Sequence, residues 1–187
     1  MKRTGWSLAA AFAALILLAV GCSKPSDTQL MKQADLYYGQ ADSLLRINQP
    51  QEARQMFINA VDNYSRLIDS YPDSPMRLDA HYRAGMIYAS GLGDHQKAIS
   101  VLHQAVYQYP DSNISAHCQF MIGYIYHNMA RDTAMARKAY LAFLDRYSRH
   151  ELAQSVQWEL DHMGEDINQI PEFRNLDGET RLEMNAR

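Results

Sequence analysis

Two cysteines and seven histidines are the residues here best suited to catalysis or metal binding, and their spacing argues against both. No histidine pair stands in an HExxH or comparable ligand spacing. His117 adjoins Cys118, but neighbouring residues on a helix point about 100° apart and share no face. Cys118 lies near Ala116, Phe120 and Met121, the surroundings of a buried thiol acting as a small hydrophobe. The serines lack a nucleophile-elbow motif, and the glycine pairs are turn residues rather than a phosphate cradle. Asp161 and Glu165 stand four apart, as solvated acidic pairs commonly do. The sequence therefore predicts no enzyme, no metal and no cofactor. A net charge of −3 without basic clusters predicts no nucleic-acid partner.

Cys22 has a different context. Lys2 and Arg3 precede an uncharged apolar run from Leu8 to Val20. That run is shorter than the roughly 20 apolar residues of a spanning helix, and it has the form of a secretory signal peptide. Its end, Leu18-Ala19-Val20-Gly21-Cys22, resembles the bacterial lipobox. The resemblance implies cleavage before Cys22, a diacylglycerol thioether on its sulfur and usually a third acyl chain on its new amine. An ordinary signal peptide with a chance cysteine, or an uncleaved anchor, are the alternatives. Residues 1–21 are thus expected to be a signal peptide and 22–30 the lipidated cysteine with its tether. Ser23, under the usual sorting rule of diderm bacteria, implies the periplasmic face of the outer membrane. With Cys22 lipidated, Cys118 has no intrachain partner.

The elements that would position any site follow from a repeated phrase. Tyr-Pro-Asp-Ser occurs at 71–74 and again at 109–112, thirty-eight positions on. In that register Tyr147 follows Tyr109, and Gly85, Ile87, Tyr88 and Ala98 align with Gly123, Ile125, Tyr126 and Ala136. Such a period fits a helical hairpin stacked into a solenoid. Asp73 or Ser74 is expected to cap a helix running through Tyr88, with Pro75 in its first turn. Gly91 to Asp94 breaks it, and a second helix runs from about His95 to Tyr109, where Pro110 stops it. The next unit repeats the plan, with a cap at Asp111 or Ser112, a break near Arg131-Asp132 and a helix to Tyr147. Ser148-Arg149-His150-Glu151 has the form of a capping box for a last helix ending at Gly164. A capping box at Ser26-Asp27-Thr28-Gln29 opens the first unit. Its second helix begins near Pro50 and continues to Tyr71, about two turns longer than its counterparts. Those turns either project past the neighbouring helices or lengthen the packed pair.

With Ala53/Phe57/Ala60, Ala98/Leu102/Ala105 and Ala136/Tyr140/Phe143 on the second helices, and Gly85/Tyr88 and Gly123/Tyr126 on the first, the chain resembles the tetratricopeptide repeat. The resemblance covers residues 31–164 and implies an all-α superhelix of about three hairpins and a C-terminal capping helix. A polar, partly disordered tail is expected over 165–187. Lipobox and repeat together resemble the periplasmic lipoproteins of the BamD kind and the repeat domain of the Tol-associated CpoB. In this family the first helices line a concave groove, at positions one and four after the packing glycine and three and six before it. The first unit then offers Asp35, Tyr38, Asp42 and Leu45. The second offers Asp79, Tyr82, Met86 and Ala89, and the third His117, Phe120, Tyr124 and His127. Such a groove implies envelope proteins or their peptide segments as partners, with the membrane engaged through lipid on Cys22. The expected function is an anchored scaffold or adaptor in outer-membrane protein assembly or cell-envelope organisation. A module binding glycan, peptidoglycan or a small molecule is the alternative.

Overall fold

The computed structural model describes residues 24–165. The expected signal peptide, the lipidation at Cys22 and the tail beyond Glu165 lie outside the described residues. Seven helices form three antiparallel hairpins and a final single helix: α1 (Asp27–Arg46) with α2 (Pro50–Ser70), α3 (Arg77–Met86) with α4 (His95–Gln108), α5 (Asn113–Tyr124) with α6 (Thr133–Tyr147), then α7 (Ala153–Asp161). No strand occurs among the described residues. The architecture is the expected all-α helical repeat superhelix.

Each hairpin is specified by its caps and by what its second helix buries. Ser26 opens α1 with the full capping box: its hydroxyl accepts from Gln29 N–H, and Gln29 Oε1 accepts from Ser26 N–H. Asp94, Ser112 and Asp132 cap α4, α5 and α6 through their side-chain oxygens. The small–large–small triplets on α2 and α4 are buried, as is Ala136/Tyr140/Phe143 on α6, whose last position is large. Small residues let paired helices approach, and the large one fills the space that this leaves.

Two expected caps are corrected. In the first Tyr-Pro-Asp-Ser copy, neither Asp73 nor Ser74 caps α3, which starts at Arg77 behind Met76. The Ser74 hydroxyl instead donates to Asp27 at 2.8 Å, tying this turn to the start of α1. Nor does Ser148 open the last helix. It keeps helical dihedrals as the end of α6, whereas an N-cap needs extended ones. The backbone N–H of Leu152 donates to His150 Nδ1, and α7 begins only at Ala153.

The long α2 resolves as packing rather than projection. Leu67 and Ile68, in its extra turns, are buried against an α1 that is itself 20 residues long. In the first and third hairpins the closing tyrosine also ties the pair. Tyr71 donates its hydroxyl to Pro25 O at 2.6 Å, and Tyr147 donates to Pro110 O at 2.8 Å. Each reaches a proline two or three residues ahead of its own hairpin's first helix.

The second and third repeats each contain a turn that the sequence pattern does not reveal. Both α3 and α5 end in a π turn, Ile87–Gly91 and Ile125–Met129. Leu92 N–H donates to Ile87 O, and Ala130 N–H to Ile125 O, each spanning five residues. Gly93 then takes the left-handed backbone at φ +69, as does Arg131 at φ +57 in the next repeat. Glycine does so without cost and arginine does not.

Candidate functional site

The first helix of each hairpin, α1, α3 and α5, turns one face to its partner and another to the concave surface. Tyr38 is 48% exposed and Leu45 is equally so. Asp42, Tyr82, Met86, Phe120, Tyr124 and His127 are half-buried. Tyr38, Tyr82 and Met86 come together around a depression of about 310 Å³, with Asp79 and Arg83 on its rim. A second depression, of about 490 Å³, shares Tyr38, Met86 and Ile87 with the first and adds Asp42 and Leu45. The two form one trough between α1 and α3. Phe120 and Tyr124 lie one repeat further on, with ring centroids 6.4 Å apart, and Phe120 rests 6.1 Å from the buried Tyr140 ring. His127 Nδ1 stands 3.3 Å from Glu159 Oε2 on α7, so the last helix borders the groove. One groove expectation fails: Ala89 is 3% exposed, because the π turn folds it inward against the core.

A polar network along the trough's edge went unread in the sequence. Tyr64 on α2 donates its hydroxyl to Asp35 Oδ1 at 2.5 Å. Arg83 places its Nε 2.8 Å from Asp79 and its Nη1 3.4 Å from Asp35. Burial, with the Asp35 bond second, pushes the Tyr64 phenol well above the ordinary tyrosine range, so it stays a donor. The spacing of Tyr64 is that of a core residue on α2. Only the stacking of the first two hairpins shows that its hydroxyl reaches a groove carboxylate.

The other reactive groups are spoken for. Cys118 is fully buried, and burial pushes its thiol up to about 12, which leaves it protonated and inert. His117, His150 and Glu151 bring one ligand atom each within 4.8 Å of one another. A tetrahedral zinc with bonds of about 2.1 Å holds its ligand atoms about 3.4 Å apart. His150 has no lone pair to offer, because Nδ1 accepts from Leu152 N–H and Nε2–H donates to Asn113. The cluster is better explained as the corner that joins α6 to α7.

A tetratricopeptide-repeat family model matches the chain three times, over residues 30–74, 79–112 and 117–150. A search of curated proteins gives no match. The three matched spans coincide with the three hairpins.

Proposed function

The chain belongs to the tetratricopeptide-repeat family, and from that membership we propose that it is a lipid-anchored scaffold or adaptor of the bacterial cell envelope. It holds other proteins by segments laid in the concave groove. The observation that carries this reading is the trough itself. Tyr38, Tyr82 and Met86 keep apolar area open to solvent on a face whose neighbours are packed. Rings and thioethers of this kind supply contact area at low entropic cost. Anchoring rests on the sequence at Cys22 and on where α1 begins. Asp27 lies five residues after Cys22, a tether that holds the groove close to the membrane surface. Two or three acyl chains make such anchoring stable, at about 0.8 kcal/mol per buried methylene. No helix among the described residues is long and apolar enough to cross a membrane. Ser23 and the resemblance to lipoproteins of the BamD kind favour the periplasmic face of the outer membrane, with work in outer-membrane protein assembly or envelope organisation.

One experiment tests anchor and partner together. The tagged protein is recovered from detergent-solubilised envelopes of cells fed labelled palmitate. The wild type is expected to carry label and to bring protein partners, and Cys22→Ala to carry no label. An equally labelled Cys22→Ala sinks the anchor. Recovery of no protein partner, together with sedimentation on purified peptidoglycan, replaces the adaptor by a glycan-binding module.

A further inference from the structure

We infer that one edge of the superhelix rests on the membrane, and that the trough opens at the opposite edge, toward a segment of its partner that lies in water. This rests on the lipid anchor and the groove of the preceding reading and adds how the molecule stands. Antiparallel hairpins put the starts of their first helices and the ends of their second helices on the same side. One edge therefore gathers the start of α1 at Asp27 and the turns 71–76, 109–112 and 148–152. The far edge gathers the loop 47–49 and the two π turns.

The chain enters at the first of these edges and is fixed there. Lys24 Nζ stands 5.1 Å over the Tyr71 ring, Tyr71 donates its hydroxyl to Pro25 O at 2.6 Å, and Ser74 donates to Asp27 at 2.8 Å. The tether left between acylated Cys22 and Lys24 reaches about 7 Å even when fully extended. The far edge lies about 30 Å away along α1, beyond that reach. Tyr107 supports the same posture. It is 87% exposed and stands one residue before the end of α4, on the anchor edge. A tyrosine suits the headgroup layer, where its ring leaves water and its hydroxyl stays wet. Charge does not hold this edge down, because Asp73 and Asp111 answer Lys24 and Arg149 along it. The acyl chains do.

The same geometry decides what reaches the trough. Tyr38 lies about 17 Å along α1 from Asp27. The outer end of the trough is lined by Leu45, Pro50, Gln51 and Gly91, all at the far edge. An occupant enters there from the aqueous side. It belongs to a soluble protein, or to the soluble part of a membrane protein, and not to a lipid-embedded segment.

The test is energy transfer from the full chain, purified from membranes, to a rhodamine-headgroup lipid in zwitterionic vesicles. Acylation blocks Cys22 and Cys118 is fully buried, so a donor dye goes to an introduced cysteine alone. Asp111→Cys and Ala130→Cys place it at exposed sites on the two edges of the third hairpin, about 25 Å apart. That hairpin lies furthest from the anchor, so posture rather than tether length sets the result. Transfer should be at least twofold greater from Asp111→Cys than from Ala130→Cys, with Cys22→Ala versions of both as background. Equal transfer with vesicle binding intact means that the helices lie along the surface; it overturns the inference and leaves the anchor standing. Greater transfer from Ala130→Cys inverts the molecule and overturns the inference as well. A parent chain that takes the dye, or that the vesicles do not hold, overturns the anchor and this inference with it.

Discussion

Gly123→Ala is expected to destabilise the fold by roughly 2 kcal/mol, read as a lower urea midpoint at unchanged slope. In a solvent-facing helix the same change stabilises by about 1 kcal/mol, so the expected sign is opposite to helix propensity. The reason is the facing ring. A Cβ on Gly123 would sit on Cε1 and Cδ1 of Tyr140, which is fully buried and has nowhere to swing. The equivalent Cβ on Gly85 would lie 2.6 Å from two atoms of Leu102, a flexible side chain that yields more easily. Gly123→Ala should therefore cost more than Gly85→Ala. The double variant Gly123→Ala with Tyr140→Leu should recover part of the loss, because the ring is the obstacle. The Tyr140 hydroxyl makes no hydrogen bond among the described residues, so removing it leaves no donor or acceptor stranded. A Gly123→Ala variant as stable as wild type would mean that α5 and α6 do not pack this closely.

Acid should weaken the fold through His81, by up to about 3 kcal/mol. His81 is 0% exposed on α3, and neither ring nitrogen meets hydrogen-bond geometry with a partner. Burial first, and the charge of Arg77 second, pull its pKa from the ordinary 6.5 to about 4, while the Val101 backbone and Asp69 offset part of the shift. The folded state thus holds the neutral ring, and the unfolded chain takes up the proton more readily. The contribution is fully present above pH 6.5, is lost as pH falls from there to about 4, and changes no further below that. His81→Leu removes the titration and the buried polar ring together. It is expected to be at least as stable as wild type at pH 7.5 and to lose far less between pH 6.5 and 4.5. Urea titrations at the two pH values decide it; parallel losses in both proteins would mean that His81 is not a buried neutral ring.

The legibility of each feature in the sequence depends on how local its cause is. The helices and two of the four expected caps were readable because Tyr-Pro-Asp-Ser and the packing triplets act within a turn or between adjacent helices. Ser26 and Ser112 cap as their positions imply. Ser148 does not, because α6 runs on through it, and a capping pattern cannot say whether the residue has left the previous helix. The π turns were hidden because five-residue hydrogen bonds leave no compositional mark, although the matching length of the two repeats was visible. The groove's aromatic rows came from the repeat register, and Tyr38, Tyr82 and Met86 do meet. Ala89 failed because it lies within a π turn, whose wider winding rotates its residues away from the α-helical register. The Tyr64–Asp35–Arg83 network joins residues up to 48 positions apart, and only stacked hairpins bring them together.

The central claim is that partners bind the concave face. Site-specific photocrosslinking in intact cells tests it most directly, with a benzophenone amino acid placed at Tyr38 or at Tyr107. Both positions are open, Tyr38 in the groove at 48% and Tyr107 on the outer helix α4 at 87%. Protein adducts from Tyr38 and none from Tyr107 are the predicted result. Adducts from Tyr107 alone would contradict the account and move the binding face to the outer side of the superhelix.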